Sequence, residues 1–522
     1  MKKAISGLLA LALGTTMLAG CQKKEEQTTG DGGRMTITWV GSSGQAAEKD
    51  SDVERYLEER YNVDLEIMSI TGNFNEKLGA MIATNTIPDV FFVNEPETWI
   101  PLAKQGILAE VKMEWIEELA PNLFKDTNEL DEAIWGVCQY EGTNYVLPRF
   151  TGGETTVASC WRKDWLDKVG ITKIPETIDE FEEAFIKFRN SDPDGNGQKD
   201  TYALSGQGNH SARLFDAIFG AYGVMPGQWE NNNGVITNGT VSLKAREALE
   251  RLHSWYAQEL IDPEFITDIP QTIVEKYNKG KIGVNFTSAD SFINSTAAGR
   301  QYLNDWKVRN PEAEFAIGGL PKGPNGDSGS WLWGPRSNFV AFGEQVDEAK
   351  IKRVLTMLND MYSDEEVALR VVWGVKGETY DYNDPAVGEA SGLKYLPPYD
   401  SDTNARAKLG IGQSGFFSML QPLATWAAPD VTEKYTPAEI QEIQKKYLLG
   451  GKYQDAILRV VLPSATLYSS NLDKLKVVNY SMFITGERDL AEWDNFVSEW
   501  MSSGGETLTK EAQEYYDKNL KK

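Results

Sequence analysis

Met35-Thr36-Ile37-Thr38-Trp39-Val40, Val63-Asp64-Leu65-Glu66-Ile67 and Asp89-Val90-Phe91-Phe92-Val93 are the stretches whose reading decides the fold. The first is β-like, the second alternates as a half-buried strand does, and the third is a short apolar run that suits a strand covered on both faces. Two helical stretches separate them. Ala47 to Tyr61 puts Val53, Leu57 and Tyr61 on one stripe and stops at Asn62; Phe74 to Ala83 follows. Strand, helix, strand, helix, strand is the opening of a doubly wound parallel sheet, and predicts an α/β fold. Ligands of such sheets gather at the carboxyl ends of the strands, here Gly41-Ser42-Ser43-Gly44 and Asn94-Glu95. Neither loop carries the G-x-G-x-x-G fingerprint, so no dinucleotide is indicated.

N-terminal to this sheet, Lys2 and Lys3 precede an apolar run from Ile5 to Leu18, too short for a comfortable span of a bilayer, which ends in Leu18-Ala19-Gly20-Cys21. That is a lipobox. Residues 1–20 are expected to be a lipoprotein signal peptide, and Cys21 the lipidated N-terminus left outside the cytoplasmic membrane. Residues 21–33 are polar and Gly-rich, a flexible tether that cannot bury enough apolar surface to fold.

With 522 residues the chain exceeds one ordinary hydrophobic core, so two lobes are expected. A net charge of −25 opposes phosphate backbones and excludes nucleic acid as an expected partner. Fifteen Trp and 21 Tyr supply flat rings of the kind that stack on sugar faces. Besides Cys21 there are only Cys138 and Cys160, both in apolar surroundings; two buried thiols are expected, and sequence leaves a bridge between them open. Two histidines, His210 and His253, leave little room for metal or triad chemistry, and no zinc signature occurs. Carboxylate pairs are everywhere in so acidic a chain and discriminate nothing, a glycosidase pair included. Gly412-Gln413-Ser414-Gly415 is not a nucleophile elbow, because its second glycine comes one residue early. No enzyme is expected.

Downstream, Gly142 to Gly153 breaks the pattern and suits a crossing into a second lobe. Val157 to Trp161, Ile282 to Phe286 and Phe315 to Leu320 read as strands there. Thr177-Ile178-Asp179-Glu180 is a capping box opening a helix that aligns Phe181, Phe185 and Phe188. Helices are also predicted over Val346 to Tyr362 and Asp364 to Val372, the second capped by Ser363 with Glu366 three residues on. The tail through Leu490, Trp493, Val497 and Trp500 is amphipathic and is expected to pack on the second lobe. The first lobe is placed at 34–147 and 333–410, the second at 148–332 and 411–522.

Asp192, Asp194, Asn196, Gln198 and Asp200 stand at positions one, three, five, seven and nine of an EF-hand-like loop, with Gly197 at the turn. Side-chain oxygens at alternate positions and the Gln198 carbonyl converge on one centre, which predicts a structural calcium ion. Position twelve is Ala203 rather than Glu, so Thr201, a water or a distant carboxylate must complete the site. Trp161, Arg162, Trp331, Trp333, Trp373, Phe417 and Trp426 are the candidates for a sugar-binding cleft: rings at strand ends and in loops, and an Arg able to bond hydroxyls. Trp331 and Trp333 are an i, i+2 pair that an extended strand would put on one face.

The lipobox, the helix Asp52 to Tyr61 running into Val63, Ile87-Pro88-Asp89-Val90, Trp161-Arg162-Lys163-Asp164-Trp165-Leu166-Asp167-Lys168-Val169-Gly170, the Asp-rich loop and Phe483-Ile484-Thr485-Gly486-Glu487-Arg488 occur in this order. Together they resemble the family 1 extracellular solute-binding proteins of bacterial ABC importers, in the large lipoprotein branch that includes alginate-binding proteins. The resemblance implies a periplasmic-binding-protein-like fold of type II, two α/β lobes closing on a carbohydrate ligand and delivering it to the permease subunits of a transporter. It also implies a structural calcium in a loop similar to Asp192–Asp200, where members carry an acidic residue and this chain has Thr201. A monomer anchored to the membrane through its N-terminal lipid is expected. The competing expectations are a surface-anchored carbohydrate-active enzyme and a receptor for peptides or other small solutes on the same fold.

Overall fold

The computed structural model describes residues 33–42, 48–70, 74–93, 96–148, 157–208, 210–287, 314–331, 339–412, 434–435, 437–448, 453 and 455–521. Cys21, Trp333, Phe417, Trp426 and most of the two strand-end loops lie outside these.

β1 (Met35–Ser42) leads into α1 (Asp52–Tyr61), which starts at a Ser51/Glu54 capping box and ends at Asn62 in the left-handed conformation. β2 (Val63–Ile70), α2 (Phe74–Ala83) and β3 (Val90–Val93) follow. β2 and β3 flank β1 and both run parallel to it, as the doubly wound pattern requires. Asp89 ties the unit together: its carboxylate accepts the Thr38 N–H (2.8 Å), its own N–H donates to Thr38 Oγ1 (2.8 Å), and Lys350 approaches it to 3.0 Å.

The chain returns to this sheet as β4 (Val146–Pro148) and then leaves it. β5 (Ala158–Arg162) is the centre of a second sheet, with β6 (Val284–Thr287) and β7 (Phe315–Gly318) antiparallel on its two sides. Next, β8 (Phe339–Phe342) re-enters the first sheet between β3 and β4, antiparallel to both, giving the order β2-β1-β3-β8-β4.

Two large cores result among the described residues, with two small clusters beside them around Tyr277 and Leu320. One gathers Ile37, Val63, Phe91, Val146, Phe339 and Leu355; the other gathers Trp165, Phe185, Leu252, Val284, Tyr480 and Phe496. The molecule is therefore a two-lobe α/β protein whose chain passes between lobes more than once. Ile411 and Tyr435 pack with the first core and carry it past residue 410.

The Thr177/Glu180 capping box is present, and Phe181, Phe185 and Phe188 of its helix, Ile178–Asn190, are all fully buried. The tail helix Trp493–Trp500 buries Trp493, Phe496 and Trp500 in the second core, against Tyr480 and Phe483. One cap differs from expectation. Ser363 is the last residue of the helix Glu348–Ser363, and Asp364 caps the next helix, Glu365–Val372, by accepting the Val367 N–H (3.2 Å). Asp outcompetes Ser here because its charge also favours the positive helix end. Cys138 and Cys160 are buried and not bridged to each other, and burial pushes the Cys160 thiol well up. His253 is half-buried with Nδ1 3.2 Å from the Ile484 carbonyl, a packed helix-edge imidazole.

Candidate ligand-binding site

Of the rings proposed from sequence, Trp331 is the one that the described structure leaves partly open. It stands between β7 of the second sheet and β8 of the first. Its N–H donates to Asp216 Oδ2 (3.0 Å). Asp216 is buried at the start of the helix Asp216–Ala221, and burial raises its pKa while the Trp331 N–H opposes the rise. Over the indole lies the Arg459 guanidinium, 5.0 Å from the ring centroid.

Arg459 is delivered by an unusual turn. Leu458 and Arg459 are both left-handed, with φ of 57° and 55°, a conformation that costs non-glycine residues energy unless the surroundings enforce it. The enforcing group is Asp455. Its buried carboxylate accepts N–H bonds from Trp229 (2.9 Å), Ile457 (2.9 Å) and Arg459 itself (3.3 Å). Beside Trp331, Gly227 has a φ of 94°, and a Cβ there would come within 2.9 Å of Lys476 Nζ and 3.7 Å of the Trp331 ring. The left-handed φ, rather than these contacts, is what favours glycine there.

Next to this group is a small concavity, with free space on the order of one water molecule, lined by Asp216, Phe219, Met225, Pro226, Lys476 and Tyr480 among others. Lys476 is almost wholly buried and pairs with Asp473 (3.0 Å). His210 is held below its ordinary pKa by burial, then by the charges of Arg213 and Lys476. Trp331, with Arg459 over its ring, stands beside this concavity, and Asp216 and Lys476 line it; an indole and charged groups brought close together are the kind of equipment that stacks on a flat polar ligand and bonds its hydroxyl groups.

Three sequence expectations are corrected. Trp161 is fully buried in the second core, with Phe181, Phe185 and Phe188 at 4.7, 6.0 and 6.2 Å and its Nε1–H donated to Ser159 Oγ (3.0 Å); it offers no face to a ligand. Arg162 is spent within the protein, bidentate to Asp164 (2.9 and 2.7 Å) and stacked on Trp165 (4.8 Å). Trp373 is buried in the first core against Tyr395 (4.6 Å) and Tyr380 (6.0 Å). Trp161 and Trp373 are covered by rings from other elements of the fold, whereas Arg162 is engaged by side chains only two and three residues further along the chain.

The Asp192–Asp200 loop folds around its own side chains. Asn196 Nδ2 donates to Asp194 Oδ2 (2.8 Å) and Asp200 Oδ1 (3.0 Å), and Asp192 accepts the N–H groups of Asn196 (3.2 Å) and Gly197 (2.8 Å). Burial, then Asp192, raises the Asp194 pKa, with Asp200 adding to the rise; the Gly197 N–H lowers that of Asp192. Three crowded carboxylates and an amide are a donor set suited to a hard cation, which takes about 6–8 oxygens. Among the described residues, however, no three acidic, His or Cys side chains close on one point as metal ligands would. Thr201 does not complete the loop: it is buried, and its hydroxyl donates to the Phe188 carbonyl (3.1 Å).

The sequence profile of the family described as bacterial extracellular solute-binding protein matches residues 41–340, more than half of the chain. This chain belongs to that family. It is 25% identical over 529 residues to lipoprotein LipO of Bacillus subtilis, covering 97% of both chains. It is 24% identical to the fructooligosaccharide ABC transporter substrate-binding protein FusA of Streptococcus pneumoniae, over 93% of this chain and 90% of FusA. The FusA structure with kestose superposes with a TM-score of 0.68 at 18% identity, covering 92% of this chain and 99% of FusA; an EF-hand mutant of FusA is equally similar. Alginate-binding protein AlgQ2, in a structure without calcium, gives 0.65 at 15% identity, covering 94% and 100%. FusA and AlgQ2 are binding proteins.

In this solute-binding protein, sequence reasoning missed Asp216, Arg459, Lys476 and Asp455. No local motif marks them. Asp216 and Trp331 are 115 positions apart and Trp229 and Asp455 are 226 apart, so only the folded chain brings them together.

Proposed function

We propose that this protein is the substrate-binding lipoprotein of an ABC importer, capturing an oligosaccharide between its lobes and passing it to membrane permease subunits. The reading is carried by the Trp331 group, a half-open indole with donors beside a concavity, in a chain of the solute-binding family. FusA, similar across nearly the whole chain, holds an oligosaccharide on the same fold. The lobes comprise 34–147 with 333–410 and 148–332 with 411–522, the first also taking Pro148, Ile411 and Tyr435. Trp331 is the central stacking ring, with Trp333, Phe417 and Trp426 as further candidates. Lipid on Cys21 holds the monomeric protein outside the cytoplasmic membrane, and calcium in the Asp192–Asp200 loop adds to stability through its own binding energy. The EF-hand of FusA supports the calcium assignment.

A thermal-shift screen of the purified protein over mono- and oligosaccharides and peptides tests the reading, because a ligand of the native state raises the melting temperature. An oligosaccharide should raise it and be recovered intact. Cleavage of the glycan would transfer the protein to the enzymes, and a response to peptides alone would make it a peptide receptor.

A further inference from the structure

We propose that Lys281 is a built-in counter-cation of the Asp192–Asp200 loop, competing with calcium for Asp200 and holding the calcium affinity down. The inference rests on the calcium assignment above. Lys281 Nζ bonds Asp200 Oδ2 directly. The ammonium reaches it from a fixed base: the Lys281 N–H donates to the Lys276 carbonyl (2.8 Å), and its carbonyl accepts the Tyr202 N–H (2.8 Å), just before β6 begins. Tyr202 is itself two residues beyond Asp200, so loop and lysine are held in register by backbone.

The other donors of the loop are equally internal. Asn196 turns its NH₂ toward Asp194 and Asp200, and its Oδ1 away to the Gln198 N–H (2.7 Å). Binding calcium as an oxygen-lined loop requires Asn196 to present Oδ1 to the ion, which leaves Asp200 to face it through Oδ1 while Lys281 holds Oδ2. Two cations cannot share Asp200 without repelling each other. Lys199 is the neighbouring control, since it faces the other way and pairs with Glu259 (3.4 Å) alongside Arg189.

The experiment is calorimetric titration of calcium chloride into chelator-stripped full-length protein, as wild type, Lys281→Met and Lys199→Met, with melting temperatures in chelator and in calcium. Lys281→Met should bind calcium about tenfold more tightly, the size expected when one charge roughly 5 Å from a divalent ion is removed in a water-exposed loop. Its chelated form should melt below chelated wild type, and calcium should restore it. Lys199→Met should stay within about twofold of wild type, because its charge is already engaged elsewhere. Unchanged or weaker affinity in Lys281→Met, or an equal gain in Lys199→Met, overturns the inference and leaves the calcium site standing. Absence of heat and of any melting shift in all three proteins at millimolar calcium overturns the calcium assignment itself. Lys281→Gln makes the same comparison if the Met variant does not fold.

Discussion

Replacing Trp161 by Ala separates a core ring from a ligand platform. The indole is fully buried, and the phenyl rings around it are pinned by partners of their own: Phe181 and Phe185 lie 5.9 Å apart, and Phe185 packs on Trp255 at 5.0 Å. These walls cannot collapse into the space, so the cost belongs in the upper half of the range of about 3–5 kcal/mol for Trp→Ala in a core. Losing the bond to Ser159 adds little, because that hydroxyl still donates to the Gly319 carbonyl (2.7 Å). At roughly 2–4 °C per kcal/mol for a lobe of this size, the transition of the second lobe should fall by about 10 °C. Trp161→Phe should recover a good part of the loss. Differential scanning calorimetry gives the stability, and titration with the best oligosaccharide from the screen, at a temperature where the variant is folded, gives the affinity. A variant melting within about 2 °C of wild type yet unable to bind would refute the core assignment.

Trp331→Ala should do the opposite, leaving the melting temperature nearly unchanged while weakening the same oligosaccharide by on the order of 2 kcal/mol, about thirtyfold; full affinity in the folded variant would place the cleft elsewhere. Chelator should lower the melting temperature of wild type and do nothing to Asp194→Ala, whereas equal responses would remove Asp194 from the calcium site. Acidification tests His210, whose folded pKa is depressed by burial. The unfolded chain takes up the proton near pH 6.5 and the folded one only at lower pH, so stability is fully present above 6.5 and falls as pH drops from there toward the folded value. Chemical denaturation at pH 7.5 and 5.5 should show a smaller acid loss in His210→Asn than in wild type; identical losses would mean that His210 titrates freely.

Local order in this chain was written locally. The Thr177/Glu180 capping box and the Asn62 stop follow from side chains three or four residues apart, and the strands β1, β2 and β3 from their own periodicity, whereas their parallel pairing joins segments as far as 51 positions apart and α1 begins at Asp52, behind a Ser51/Glu54 box that the reading from Ala47 did not single out. The three strands of the second sheet and the amphipathic tail were equally legible. By itself the sequence also determined that carboxylates and an amide alternate at Asp192, Asp194, Asn196 and Asp200. It could not say what serves them, because Lys281 arrives from 81 positions away.

Tertiary structure alone decided which aromatic residues are core and which can meet a ligand. Trp161 and Trp331 are alike as strand-end indoles, yet the Phe181 helix covers the first, while the second is held by Asp216 and capped by Arg459 from distant segments. The insertion of β8 antiparallel between β3 and β4 is a decision of the same kind. Burial and hydrogen bonding depend on what is adjacent in space, and a single sequence records only what is adjacent along the chain.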